Sequence, residues 1–509
     1  MLCKIISFYI LGLEALPIEV EVDLGRGLPG TTIVGLPDSS IKESRERIRT
    51  AIINSGFEFP LQRITINLSP ADLKKEGTGF DLAIALGILA GSKLLASDKL
   101  KDIGVMGELS LDGSIRGVRG ILSAVIKAKE LGLREILIPY ENLREASLIG
   151  DYSFKPFRHL REVVDYLRDE REPVWERVPL NNLEEADISE DFSEVRGQNL
   201  AKRAFEIAAA GGHNILIIGP PGAGKTMLAQ RMPGILPPMS YEEAIETTKI
   251  YSVAGLLNSE KPLIKRRPFR NPHFTISEAG LIGGGTIPKP GEVSLAHHGV
   301  LFLDEFPEFR RDVIEALRQP LEDGYVTITR ATYTVTYPAQ FLLLVAMNPC
   351  KCGFLGHPLR SCTCSFQEVK KYRSKLSGPI IDRIDIHLEV PPVDVKDLLY
   401  DSDGPRESSE EIRARVVKAR KFQEKRYGTC RKLNARLKPK EIKRYLKYEP
   451  GALEFLEKAV EKLGFSARAI HKVLKVARTI ADLEECDIIK KVHLSEALQY
   501  RVLERKAYE

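Results

Sequence analysis

At 509 residues, 43% hydrophobic and 28% charged, the chain has material for two to four cores and reads as a soluble globular protein. Its longest apolar stretch, 80–90, carries Asp81 and falls far short of the roughly 20 residues a membrane span needs, so a cytoplasmic chain without a membrane partner is expected. A net charge of +5 names no partner, and seven cysteines exclude a disulfide framework.

Residues 1–10 have the look of a secretory apolar region. They run straight into the alternating Ile18-Glu-Val-Glu-Val-Asp-Leu, a strand, and a small-residue cleavage site is missing. Strands are predicted at 18–24, 31–34, 63–68 and 135–139, and helices at 39–55, 80–90 and 121–131, which makes 1–168 a mixed α/β unit. Residues 169–194, acidic and with Pro173 and Pro179, read as a linker. From 195 to 392 the pattern is α/β with several buried-strand runs. A second break follows at 393–410, and the whole of 393–509 is taken as a C-terminal helical unit.

The most specific motif is Ile215-Leu-Ile-Ile-Gly-Pro-Pro-Gly-Ala-Gly-Lys-Thr226: an apolar strand, a P-loop, then a helix beginning near Met227. Glycines let backbone N–H groups wrap phosphates, and the helix N-terminus adds a favourable dipole. Gly219, Pro220, Pro221, Gly222, Ala223, Gly224, Lys225 and Thr226 are therefore the predicted ATP contacts, with Lys225 on the β- and γ-phosphates and Thr226 on Mg²⁺. Two further strands end in polar groups. Gly299-Val-Leu-Phe-Leu-Asp-Glu305 offers Asp304 for Mg²⁺ and Glu305 to polarise the attacking water. Phe341-Leu-Leu-Leu-Val-Ala-Met-Asn-Pro349 offers Asn348 to orient that water. Chemistry at strand ends is where open α/β sheets bind ligands.

Cys350, Cys352, Cys362 and Cys364 form C-x-C, nine residues, C-x-C. Four thiolates with Gly353 and Gly356 between them suit a structural, tetrahedral Zn²⁺, although the spacing departs from the commoner C-x₂₋₄-C. Reduced thiols and disulfides are the alternatives, and His357 could replace one cysteine. Cys3, Cys430 and Cys486 read as packing residues.

The order P-loop, Leu-Phe-Leu-Asp-Glu, Asn-Pro, then Leu376-Ser-Gly-Pro-Ile-Ile-Asp-Arg-Ile-Asp385 resembles the magnesium-chelatase/MCM branch of the AAA+ ATPases. Phe465-Ser-Ala-Arg-Ala-Ile470 resembles the lid motif called sensor 2. The resemblance implies that Arg383 is an arginine finger acting on a neighbour's nucleotide and that Arg468 is the lid arginine on the γ-phosphate. Over 1–509 the chain is similar to the YifB/ComM family of magnesium-chelatase-like proteins, with Val34-Gly-Leu-Pro-Asp38 and Ser277-Glu-Ala-Gly-Leu-Ile-Gly-Gly-Gly285 typical of it. The implied fold is a multi-domain α/β chain: a Lon-protease-like (ribosomal S5 domain 2-like) N-terminal domain at 1–168, an AAA+ core at 195–392 with the 350–364 insert, and a helical lid.

Lys75-Glu-Gly-Thr-Gly-Phe-Asp-Leu-Ala-Ile-Ala-Leu86 and Gly107 to Gly120 carry the Lon likeness. Aligned by eye, the catalytic serine falls on Gly79 and the lysine on Leu122. Neither side chain can serve, so the fold is expected without proteolysis. A displaced dyad using Ser69 or Ser123 is the runner-up.

Three features suggest a polynucleotide channel. The Gly/Pro-rich 272–291, carrying Lys289, matches the branch's pore-facing insertion. The alternating 325–335 reads as a β-hairpin tipped by Arg330. Residues 405–447 hold sixteen Lys or Arg against five Asp or Glu, a stripe able to neutralise phosphates. By the family resemblance the expected function is a DNA-stimulated hexameric helicase or branch-migration translocase acting on single-stranded or branched DNA. A magnesium-chelatase motor subunit, a Lon-like protease and a protein remodeller are the alternatives.

Overall fold

A computed structural model describes residues 2–176, 190–392 and 407–503, apart from 259, 287, 331, 332, 377 and 502. Half of the predicted 169–194 linker (177–189), the 393–406 part of the second break and the start of the basic stretch lie outside the described residues.

The N-terminal unit is a seven-stranded mixed sheet in the order β3-β4-β2-β1-β5-β8-β9. Its strands are β1 (Leu2–Leu11), β2 (Glu14–Gly25), β3 (Gly30–Val34), β4 (Arg63–Ser69), β5 (Ile103–Val105), β8 (Glu135–Pro139) and β9 (Phe154–Phe157); β6 (Glu108–Leu109) and β7 (Ile115–Arg116) make a small ribbon. The stretch that resembled a secretory region is β1, paired antiparallel to β2 along its whole length. It is a central strand, so it lacks clean polar alternation and reads as an apolar run. The wholly buried helix Asp81–Gly91 packs on β1 and β2. Helix Ser39–Asn54 starts where Asp38 Oδ1 accepts from Ile41 N at 2.9 Å, a side-chain N-cap.

The second sheet is parallel, ordered β11-β14-β17-β10-β18, with β10 (Ile215–Ile218), β11 (Phe269–Arg270), β14 (Val300–Leu303), β17 (Leu342–Met347) and β18 (Ile386–Glu389). Two hairpins leave it: β12 (Gly283–Gly284) with β13 (Lys289–Pro290), and β15 (Tyr325–Thr329) with β16 (Thr334–Pro338). Both faces of the sheet are covered, which explains the uninterrupted apolar runs. Ile215 and Ile217 face a core shared with helix Asn199–Gly211 and the C-terminal helices. Leu216 and Ile218 face one built with Phe306, Val313 and Tyr372. Phe192, assigned from sequence to the linker, is fully buried in the first of these cores, so the ATPase unit starts a few residues earlier than its periodicity indicates.

The C-terminal helices Ser409–Tyr427 and Ala467–Leu483 pack on Asn199–Gly211. A buried polar junction ties them to the sheet: His213 Nδ1 meets Asp385 at 3.0 Å, its Nε2 meets Thr479 Oγ1 at 2.8 Å, and Lys472 donates to Ile384 O at 2.7 Å. The N-terminal unit docks as well. Leu11, Leu13 and Leu73 pack on Ile328, Tyr333, Val335 and Tyr337 of the β15–β16 hairpin, and Tyr333 donates its hydroxyl to Lys74 O at 2.6 Å. The β1–β2 turn needs Gly12, at φ 64°: a Cβ there would lie 2.4 Å from Val335 Cγ1.

Candidate nucleotide site and its surroundings

The P-loop leaves the C-terminal end of β10 and opens helix Lys225–Ile235. That start is two residues earlier than expected from sequence, because Lys225 and Thr226 already form the first turn. Gly222 and Gly224 adopt φ of 78° and 81°, which turns the loop's N–H groups toward one side. Pro221 to Met227, Asp304, Glu305, Met347 and Asn348 line a cavity of about 480 Å³, a size suited to a nucleotide.

Inside it, Lys225 Nζ donates to Gly219 O at 2.7 Å, Pro220 O at 3.0 Å and Asn348 Oδ1 at 3.0 Å. Burial lowers the pKa of this ammonium, with Asp304 and Glu305 opposing. A phosphate in the cavity would supply the counter-charge that carbonyl dipoles only approximate. Thr226 donates Oγ1–H to Asp304 Oδ2 at 2.7 Å; this is the oxygen pair a Mg²⁺ ion would share, so the donor set fits ATP with Mg²⁺. Glu305 sits at the left-handed φ of 51°, its N–H held by Asp304 Oδ1 at 2.8 Å. A non-glycine residue there is strained, and such strain concentrates where a side chain must be aimed.

Arg383 and Arg468 do not line this cavity. Arg383 pairs with Glu322 and donates to Pro379 O, while Arg468, three-quarters exposed, pairs with Asp382. Asp382, the partner of Arg468, directly precedes Arg383 in the chain.

The four cysteines come together. Sγ separations are 3.3 Å for Cys350–Cys352, 3.6 Å for Cys350–Cys362 and 3.5 Å for Cys352–Cys362, and all four sulfurs lie within 4.8 Å of one another. These distances are too long for disulfides and close to the edge, about 3.8 Å, of a tetrahedron of sulfurs at Zn–S distance. Cys352 N and Cys364 N donate to the sulfurs of Cys364 and Cys362 at 3.4 Å each. The N–H groups of Phe354 and Thr363 push the Cys352 thiol down, while burial and the neighbouring sulfurs outweigh the N–H contacts of Cys362 and Cys364 and push those thiols up. His357 is not a ligand in this arrangement, since its Nδ1 accepts from Leu359 N and Arg360 N at 3.0 and 3.1 Å. Gly353 of the same loop lies against the P-loop, where a Cβ would come 2.7 Å from Pro221 Cδ. Of the isolated cysteines Cys3 is buried and Cys486 half-buried, but Cys430 is exposed.

The two hairpins meet. Arg330, at the end of the Thr329–Thr334 pair, donates Nε–H toward Gly285 O at 3.4 Å, and Tyr337 donates its hydroxyl to Pro288 O at 2.6 Å. Lys289, opposite Gly284 in the second hairpin, is exposed. The basic stretch is less available than its composition suggests. Arg415 pairs with Glu206 and Glu407, Arg420 donates to Ala209 O, Arg426 pairs with Asp482 and Lys432 with Glu441. Lys421, Lys425, Lys440 and Lys443 remain exposed.

In the N-terminal unit Leu122 is buried, and Ser123 spends its hydroxyl on Leu13 O at 2.8 Å. Gly79 lines a cavity with Thr78, Met106, Glu108 and Arg119. Sequence reasoning missed Glu246, His297 and His298, which meet beside β14. His297 Nδ1 accepts from Gln340 N at 3.0 Å, so its proton sits on Nε2, toward Glu246. That arrangement is a hydrogen-bonding one rather than a metal ligand set.

A parallel sheet with a P-loop on β10, an Asp-Glu pair ending β14, a polar residue ending β17 and a helical lid define a P-loop ATPase of the AAA+ class. Family models described as magnesium chelatase, subunit ChlI, match residues 191–398 and, for its C-terminal part, 406–501; one described as subunit ChlI of Mg-chelatase matches 20–142. The YifB protein of Escherichia coli is 45% identical over 496 residues, 97% of this chain and 96% of its own. Competence protein ComM of Haemophilus influenzae is 46% identical over 506 residues, with the same shares. A Lon protease of Leptospira interrogans is 26% identical over 161 residues, 30% of this chain and 19% of its own. The chain belongs to the YifB/ComM family of magnesium-chelatase-like AAA+ proteins.

Proposed function

We propose that the chain is an ATP-driven motor that works as a homo-oligomeric ring, a hexamer, and moves along or remodels single-stranded or branched DNA. One observation supports this above the others. Arg330 and the turn of the Lys289 hairpin are in contact, so two cations far apart in sequence share one surface, and the N-terminal unit braces the hairpin that carries Arg330. A backbone-gripping surface of cations without base-reading side chains suits a motor that must hold every sequence alike.

In this reading Thr226 and Asp304 hold Mg²⁺, which offsets phosphate charge when bound. Lys225 fixes the β- and γ-phosphates. Glu305 polarises the attacking water and Asn348 orients it. Arg383 acts on the nucleotide of the adjacent subunit and Arg468 is the lid arginine on the γ-phosphate, since a guanidinium spreads phosphoryl charge. The cysteine loop carries one structural Zn²⁺. The N-terminal unit, with Gly79 and Leu122 where a Ser–Lys dyad would stand, is a scaffold and not a protease, and the protein works in the cytoplasm. The match to magnesium-chelatase subunits favours a second reading, a motor for metal insertion or for remodelling a protein partner. ATPase rates with single-stranded DNA, forked DNA, casein and protoporphyrin separate these. Stimulation by DNA alone is expected, and stimulation by casein or protoporphyrin alone would replace the DNA reading.

A further inference from the structure

A second cation-lined cleft lies between the ATPase sheet and the lid, far from the P-loop. Gly299, Leu342, Arg267, Arg420, Arg431 and Arg436 are among the residues around its volume of about 170 Å³. Gly299 precedes β14, whose other end carries Asp304. Four strand residues, roughly 13 Å, therefore separate this cleft from the nucleotide chemistry. It is also too small for a whole nucleotide, since such pockets start at about 300 Å³.

The charges around it do not cancel. Arg267 is fully engaged: it donates to Pro237 O at 2.5 Å and His298 O at 2.7 Å and pairs with Glu243 at 3.0 Å. Glu246 is held by His298 at 3.0 Å. Among the described residues Arg420 has only a shared backbone carbonyl, Ala209 O, at 3.2 Å from Nε and 2.6 Å from Nη2. Among the described residues no carboxylate lies within ion-pair distance of Arg420, Arg431 or Arg436; from further off Glu243, the one Arg267 holds, acts on Arg420, and Glu242 acts on Arg431. Burial, with Arg267 and Arg436 nearby, pushes the Arg420 guanidinium down to about 9. Clustering cations without counter-charge is costly unless an anion completes the site.

We propose that this cleft binds a single phosphate-type oxyanion through the guanidinium forks of Arg431 and Arg436, with the Nη1 of Arg420 that its Ala209 contact leaves over. Guanidinium matches the planar, two-point geometry of such oxygens, and the volume admits one tetrahedral group. The group is either a free phosphate or one phosphate of a nucleic-acid backbone passing the lid. A free phosphate here is independent of the DNA-motor reading, whereas a backbone phosphate rests on it.

The test uses the full chain saturated with ADP, so that the P-loop is filled. Equilibrium dialysis with labelled inorganic phosphate runs beside fluorescence anisotropy with single-stranded DNA over a salt series. Arg431→Gln and Arg436→Gln are the main variants, since both side chains lie at the rim and their loss leaves the Ala209 contact of Arg420 intact. For a free oxyanion, saturable phosphate binding near one per chain is expected, weakened about tenfold by either variant at unchanged Tm and ADP affinity. For a backbone phosphate, the same variants weaken DNA about tenfold and flatten its salt dependence by roughly one contact, with free phosphate bound weakly. Variants that melt like the parent and alter neither phosphate nor DNA binding overturn the proposal and leave these arginines a purely structural role.

Discussion

The Lys225 ammonium and the Asn348 side-chain oxygen are 3.0 Å apart, joining the P-loop to the end of β17 across the sheet. In the proposed mechanism Asn348 would serve twice, its oxygen accepting from the lysine and its amide orienting the attacking water. Lys225→Ala is expected to weaken ATP binding by about 10–100-fold, the worth of a lost charged hydrogen bond. Asn348→Ala should leave ATP affinity within a few-fold and lower kcat by about 10–100-fold. Nucleotide titration beside steady-state hydrolysis separates the two, and an Asn348→Ala enzyme that loses affinity but keeps kcat would remove the water-orienting role.

Glu305→Gln keeps the shape and the left-handed backbone of the parent but cannot accept a proton. Bound ATP with turnover reduced by about 10²–10⁴-fold is expected, read by single-turnover chemistry on purified protein. Near-parental turnover would mean that another group polarises the water.

The buried-strand runs at 215–218, 300–303 and 342–347 were legible because a parallel sheet covered on both faces leaves unbroken apolar segments. The P-loop needed no tertiary information. What escaped was non-local. Arg415 with Glu206 and Arg426 with Asp482 are pairs across 209 and 56 residues, and no periodicity in 405–447 signals that those cations are spent. The Arg468–Asp382 pair is likewise a contact between lid and core, across 86 residues, that no motif signals. Tyr333 and Lys74 meet only because two units dock.

Arg383 lies outside the cavity of its own chain, and in the proposed ring it serves the neighbour's nucleotide. Arg383→Ala is expected to bind ATP normally and hydrolyse it at least about 100-fold more slowly. Mixed with Glu305→Gln subunits it should regain part of the rate, because an intact P-loop then faces an intact arginine. Absence of any recovery in mixtures shown to co-assemble would place the arginine's action within one subunit.

Purified protein is expected to carry about one zinc per chain by elemental analysis. Because Gly353 abuts Pro221 and Cys350 follows Asn348 by two residues, chelation should lower Tm and also weaken ADP binding several-fold, without any turnover being required for the readout. Cys352→Ser should act in the same direction. Metal-free protein with the same Tm and nucleotide affinity would leave the cluster as four reduced thiols.

The DNA reading rests on the meeting of the two hairpins, and Arg330 tests it most directly. Its guanidinium lies along the Gly284–Gly285 turn, outside the ATP cavity, so Arg330→Ala should leave basal hydrolysis intact. If a strand passes this surface, Arg330 meets phosphate and not base edges. The loss of affinity should then be similar on unrelated sequences, with a salt dependence shallower by roughly one contact per engaged protomer. Lys289→Ala should do the same, more weakly, since a lone ammonium lacks the fork of a guanidinium. Tyr333→Phe offers a separate handle: it removes the hydrogen bond to Lys74 O but no charge, so it should loosen the hairpin and reduce DNA stimulation of the ATPase while changing DNA affinity little. Anisotropy on single-stranded and forked DNA over a salt series, beside ATPase assays, measures all three. ATP-bound parent protein without DNA affinity at low salt would rule out the helicase reading and leave a motor that remodels a protein.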